Sequence, residues 1–257
     1  MGRADLHIHT TASYDGTATV SATLEHVAKH TNLDVIAITD HDAIEGALEA
    51  VALAPRYRIE VIPGIEISTA EGHLLALFVN RLIPRNLSLR RSLELIGEQG
   101  GIAIAPHAGG RWEGCLSARS VRDAVASPEL ARILVGGEEF NGSLPWLSAN
   151  RKAAQIVHSA GLAPVASSDA HMLWMIGMAC TEFHGKSSAA LRLALETAAT
   201  WPLVRARPWY YIASYLHRQS LRAVGLAQWS APEPGAPIGL RRLARLPRPT
   251  LSETATA

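Results

Sequence analysis

The chain has 257 residues, of which 48% are hydrophobic, 18% charged and 5% aromatic, and its formal net charge is +1. That apolar fraction supports a sizeable core and excludes a largely disordered chain, and no run approaches the ~20 apolar residues of a membrane-spanning helix. The charge is uneven: from Arg205 onward there are eight Arg and two Glu, so a net acidic body precedes a basic C-terminal segment.

Strand and helix patterns alternate along the chain. DLHIH (5–9) reads as a strand, a helix follows over about 19–30, and DVIAIT (34–39) is a second strand. A helix over about 43–54 leads to IEVIPGIEI (59–67) and HLLALFV (73–79), whose short link predicts an antiparallel hairpin. Next come a helix at 88–99, the strand GIAIAPH (101–107), a helix near 117–126 and the strand segment ARILVGGEEF (131–140). A helix over about 145–160 precedes LAPVASSDAH (162–171), and a last helix over 188–200 precedes PLVRA. About seven such repeats predict an α/β chain of mainly parallel strands, and they suit a closed or nearly closed barrel better than an open sheet.

The barrel is expected over residues 1–204. An amphipathic helix is expected within 205–230, carrying Ile212, Tyr215, Leu216 and Ala223 on one side, and a Pro/Arg-rich extended tail over 231–257. The start MGRADLHIHT lacks the apolar core of a signal peptide, and Cys115 and Cys180 have no paired or metal-type spacing, so a cytoplasmic protein with reduced thiols is expected.

Six of the 11 histidines carry the chemistry. His7 and His9 are two apart on one strand and leave the same face. Asp15 follows in a loop, Asp40 and His41 end a strand, Glu66 lies in the next and His73 opens the one after. His107 ends another, and Asp169 and His171 end ASSDAH. In an α/β barrel the strand ends converge on one mouth. Carboxylates crowded there would repel one another, a penalty that cations bound by this nitrogen and oxygen donor set remove. His26, His30, His158, His184 and His217 are expected to be ordinary packing or surface residues. Asp40, beside His41, is a candidate proton carrier or a partner that orients a ligand histidine. Arg111, in the Gly-flanked loop HAGGRWEG, is the first candidate for a phosphate donor.

The segments DLHIHTTASYDGT, AITDHD, PGIEIS, HLLAL, APHAG, EEFNG and SSDAH, in that order, resemble the motifs of the PHP (polymerase and histidinol phosphatase) superfamily over about residues 5–177. The resemblance implies a distorted (β/α)7 barrel with two or three divalent ions, Mn, Fe or Zn, at its C-terminal mouth. His7, His9, Glu66 and Asp169 match one metal position, and Glu66 with His73 and His107 a second. Asp15, His41 and His171 match a third. Glu138 and Asn141 match a segment expected to support ligands or orient substrate.

The implied activity is hydrolysis of a phosphate ester of a small metabolite or nucleotide by metal-activated hydroxide. The alternatives are an exonuclease or nucleotide phosphodiesterase on the same site, and a non-catalytic PHP module. The acidic body disfavours extended nucleic-acid contact, which needs many phosphate contacts. The basic C-terminal segment is a candidate contact for a partner or an anionic membrane surface.

Overall fold

A computed structural model of the protein describes residues 1–110, 114–144 and 147–204, together with residues 217, 220 and 221. The expected helix within 205–230, the tail beyond it and Arg111 lie outside the described residues, apart from those last three positions. Among the described residues no helix is long and apolar enough to cross a membrane.

Seven strands form the wall of a nearly closed barrel: β1 (Gly2–Asp5), β2 (Val35–Ile38), β3 (Glu60–Thr69), β4 (Gly72–Leu77), β5 (Ile102–Ala105), β6 (Leu134–Asn141) and β7 (Ala163–Ser167). β1, β2 and β3 are parallel, β4 is antiparallel to both β3 and β5, and β5, β6 and β7 are again parallel. The 59–67 and 73–79 segments thus form the expected hairpin. Past β7 the chain returns to the first strand, where Ala170 N donates to His7 O at 3.1 Å and His9 N to Ala170 O at 2.9 Å.

Below this contact the seam is made by side chains. β8 (Ala179–Phe183) runs antiparallel to β1 and to β9 (Thr200–Val204). The Thr181 hydroxyl on β8 accepts from Ala166 N at 3.0 Å and donates to Ala166 O at 2.9 Å, and Thr200 Oγ1 on β9 donates to Pro164 O at 2.8 Å. Asp5 spans the same seam, accepting from Ser168 N at 3.0 Å and Gly177 N at 2.8 Å.

Two departures from the sequence expectation have local causes. The first strand is Gly2–Asp5 rather than 5–9, with Ile8 surviving as an isolated bridge. At Ile8 the amide donates to the Thr39 hydroxyl at 3.2 Å, so a side chain takes the place of the ladder carbonyl. β8, with the sequence ACTEF, has no counterpart in the sequence pattern. It is short and almost wholly buried, so it shows no alternation.

Among the described residues up to 204, the α-helices are α1 (Val20–His30), α2 (Glu45–Leu53), α3 (Leu89–Glu98), α4 (Ala118–Val125), α5 (Pro128–Ala131), α6 (Leu147–Ser159) and α7 (Ser188–Glu196). Thr19, Ser88, Ser117 and Ser187 cap α1, α3, α4 and α7 by accepting an N-terminal amide. Val20, Leu24 and Val27 of α1 recur at helical spacing and join the outer core, between helices and sheet. The inner core takes the alternate strand residues, among them Leu6, Val35, Ile62, Leu75, Ile104 and Val165, with Leu191 and Leu195 of α7. α7 packs at the strand starts, where Ser188 N donates to Glu60 and Arg192 to Gly100 O. It plugs the lower end and leaves the C-terminal end as the mouth.

Candidate metal centre

The polar candidates meet at that mouth. Glu66 is its hub and is 1% exposed. Its Oε2 lies 3.0 Å from His7 Nε2, 3.3 Å from His9 Nε2 and 3.3 Å from His41 Nε2. Its Oε1 lies 2.9 Å from His73 Nδ1 and 3.1 Å from His107 Nε2. Asp169 Oδ1 is 3.2 Å from His9 Nε2 and 3.5 Å from His7 Nε2, and Asp15 Oδ2 is 3.0 Å from His171 Nε2 and 3.2 Å from His41 Nε2. All nine residues matched to metal positions are therefore in one connected cluster. Two of them, His107 (φ 31°) and Asp169 (φ 51°), sit in the left-handed backbone region, a strain that tends to gather at functional sites.

The surroundings fix which atom of each residue faces inward. His7 Nδ1 meets Glu138 Oε1 at 2.9 Å, turning Nε2 toward Glu66 and Asp169. Glu138 is fully buried, and its other oxygen accepts from His107 N at 3.0 Å and Asn141 Nδ2 at 2.7 Å. Asn141 Nδ2 also donates to Asp169 Oδ2 at 3.1 Å. Glu138 and Asn141 thus lie directly behind the cluster.

Sequence reasoning missed several neighbours. Ser143 Oγ donates to Asp169 Oδ2 at 2.6 Å, Ser13 Oγ to Asp15 Oδ1 at 2.8 Å, and Cys115 Sγ lies 3.6 Å from His107 Nδ1. Ser13 and Ser143 each stand two residues from an Asp or Asn singled out in the sequence, a weak signal that only the folded loops resolve. The Tyr14 ring stacks on His41 with centroids 5.1 Å apart.

Asp40 is fully buried, and its oxygens accept from Thr10 N at 2.6 Å and Thr10 Oγ1 at 2.8 Å, so its carboxylate anchors the β1–α1 loop. The other described histidines lie elsewhere: His26 pairs with His30 on α1, His158 faces Glu139, and His184 rests against Trp201.

Electrostatically the cluster demands positive charge. Burial alone would raise Glu66 and Asp169, but the imidazoles around them hold both well below the usual carboxylate range, and Asp15 is lowered in the same way. Burial alone would lower His7, yet Asp169, Glu66 and Glu138 hold it well above its ordinary value. Against the same burial, Glu66 and Asp15 lift His41 to about 9, and hydrogen bonds with Cys115 and Glu66 lift His107 to about 10. His9 goes the other way, lowered by burial and by His171.

Among the described residues, neither ring nitrogen of His9 nor Nδ1 of His41 finds a hydrogen-bond partner, and all three are buried. His9 Nε2, near two carboxylates but hydrogen-bonded to neither, suits a shared divalent cation better than a proton. Ligand atoms lie within 4.8 Å of one another in the groups His9, Asp15, His41 and His171; His7, His9 and Glu66; and His41, Glu66 and His73. The residues present fit a metal centre.

The comparisons agree on the family. The PHP domain model matches residues 5–102, and the PHP-associated model matches residues 148–200. An uncharacterized protein of Methanocaldococcus jannaschii is 41% identical over 114 residues, covering 41% of this chain and 67% of that one. A 3',5'-nucleoside bisphosphate phosphatase of Chromobacterium violaceum is 26% identical over 192 residues, covering 65% of this chain and 67% of the relative. The crystal structure of a two-domain Bacteroides vulgatus protein, described as containing a predicted PHP-like metal-dependent phosphoesterase, shares the fold. It superposes with a TM-score of 0.64 at 18% identity, covering 84% of this chain and 69% of the other.

Proposed function

This chain belongs to the PHP family, and we propose that it is a metal-dependent phosphoesterase acting on a phosphate ester of a small metabolite or nucleotide. The observation that carries this reading is the buried cluster around Glu66, in which imidazoles and carboxylates crowd together while ring nitrogens of His9 and His41 make no hydrogen bond among the described residues. His7, His9, Glu66 and Asp169 would hold one divalent ion, Glu66 with His73 and His107 a second, and Asp15, His41 and His171 a third. Mn, Fe and Zn all suit this donor mixture. When bound, such ions supply an acidified water as nucleophile and positive charge against the phosphate oxygens.

The chain's own residues set the frame for that chemistry. Glu138 holds the Nδ1 side of His7 and thereby presents Nε2 to the pit. Asn141 and Ser143 occupy Oδ2 of Asp169 and leave Oδ1 facing the imidazoles, as Ser13 does for Asp15 by occupying its Oδ1. Arg111, four residues beyond His107, is proposed as the cationic donor to a phosphate oxygen. Arg111→Ala is then expected to raise KM with kcat little changed, and unchanged kinetics would reject that role.

The test is a screen of phosphate monoesters and diesters with protein of measured metal content. Turnover that is lost on chelation, and lost in His7→Ala and Asp169→Ala with the fold retained, supports the reading. Full metal occupancy without turnover across the panel points to a non-catalytic module. Shortening of an oligonucleotide without phosphate release from mononucleotides points to an exonuclease.

A further inference from the structure

Beside a cluster whose members are almost all buried, Tyr14 is conspicuous for being 74% exposed. An isolated exposed aromatic is ordinary on a protein surface, but this one is held in place on both sides. Its loop is tied down by Thr11 N to Ala18 O at 2.9 Å, Ser13 N to Thr10 O at 3.1 Å and Thr17 N to His171 O at 3.1 Å. Thr10 is in turn clamped by the Asp40 carboxylate, and Gly16 lies so close that a Cβ there would sit 1.9 Å from Thr10 O. Asp15, the next residue, is fixed to His41 and His171. The loop that carries Tyr14 is therefore held in place, and the Tyr14 ring lies beside the cluster, nearly parallel to the His41 ring at an interplanar angle of 22°.

We propose that Tyr14 is a specificity-determining residue: its ring is a stacking platform for a planar aromatic group on the alcohol side of the phosphate ester. The proposal rests on the phosphoesterase reading above and narrows its substrate class to aryl or nucleobase-bearing esters. A phosphoryl group drawn to the cluster leaves its ester substituent directed back out of the mouth, past the Tyr14 loop. There an aromatic face adds attraction for a planar group and little for an aliphatic chain. Because the loop is already ordered by Asp40 and Gly16, little conformational freedom is lost when a ligand stacks.

Phenylphosphonate and ethylphosphonate, whose C–P bonds resist hydrolysis, separate this contribution from turnover. Calorimetric titration of the metal-containing full chain is expected to show wild type preferring the phenyl compound. In Tyr14→Ala that preference should shrink by about tenfold, the scale of one base–aromatic stack, and Tyr14→Phe should retain it. A preference that survives in Tyr14→Ala, no preference in wild type, or no binding of either phosphonate by wild type overturns the proposal. Wild-type turnover of phosphate esters is measured in parallel. A Tyr14-dependent preference without turnover removes the phosphoesterase reading alone, whereas turnover without a preference removes the platform alone.

Discussion

At the scale of single residues, the cluster depends on groups that do not themselves face its centre. Glu138 is the clearest: one carboxylate serves His7, the His107 amide and Asn141 at once. Glu138→Gln keeps the shape but exchanges an anionic acceptor for a neutral amide. It is expected to weaken metal affinity by about 10–100-fold, the usual effect of losing a partner behind a ligand, as read by titration of metal-stripped protein. Affinity within twofold of wild type would show that the ligands hold their orientation unaided.

Asp5 offers a test with a defined sign. Burial pushes its carboxyl up to about 6, against the hydrogen bonds from Ser168 and Gly177. The folded state then binds this proton more tightly than the unfolded one, so stability is lost as pH rises from about 4 to about 6 and is level above. The shift of about two units corresponds to roughly 3 kcal/mol. Asp5→Asn removes the titration, so wild type should lose stability relative to the variant between pH 4 and 7 in urea unfolding. A pH-independent difference would mean that Asp5 stays charged throughout.

At the scale of elements, two contacts carry more than their size suggests. Thr181 closes the seam between β7 and β8 with one hydroxyl that both accepts from and donates to Ala166. Thr181→Val keeps the volume but strands a buried amide and carbonyl, at an expected cost of about 1–3 kcal/mol by urea unfolding. Asp40→Ala frees Thr10 from a charged acceptor at a cost of about 1.5–3 kcal/mol. It should also expose the 10–18 loop to proteolysis, and an unaltered cleavage pattern would show that the loop holds itself.

Most helices were legible in the sequence because their caps are local: Thr19, Ser88 and Ser117 each precede an apolar stripe at helical spacing. The strand ends bearing His41, His107 and Asp169 were legible because each apolar run stops at a polar residue. β8 was not, since burial on both faces removes the alternation that marks a strand. The use of Asp40 was equally hidden, because its partner Thr10 is 30 residues away and only the parallel pairing of β1 with β2 brings them together.

At the scale of the whole molecule, the cluster draws on the ends of β1, β2, β5 and β7, on β3 and β4, and on the β1–α1 loop, so metal bound there would be linked to barrel closure. Without bound ions the carboxylate and imidazole atoms that face inward stay buried against one another. If ions bind there, the melting temperature should fall on chelation and recover on adding Mn, Fe or Zn. A free-ion concentration 100 times the dissociation constant stabilises the fold by about 2.7 kcal/mol. Identical melting curves with and without chelator would place the ions outside the folded core.

The reversal of β4 also shapes the rim. Elsewhere in the ring the chain leaves each strand through a long connection, but between β3 and β4 only Ala70 and Glu71 cross over. His73, just beyond that turn, has a side chain 23% exposed, against 1% for its neighbour Glu66. Neighbouring connections pack onto that turn: Gly114 O accepts from His73 N at 2.7 Å, Leu87 O accepts from Ala70 N at 2.8 Å, and a Cβ on Gly72 would sit 2.6 Å from Leu116 N. Loops borrowed from farther along the chain thus wall the pit where its own strands contribute least.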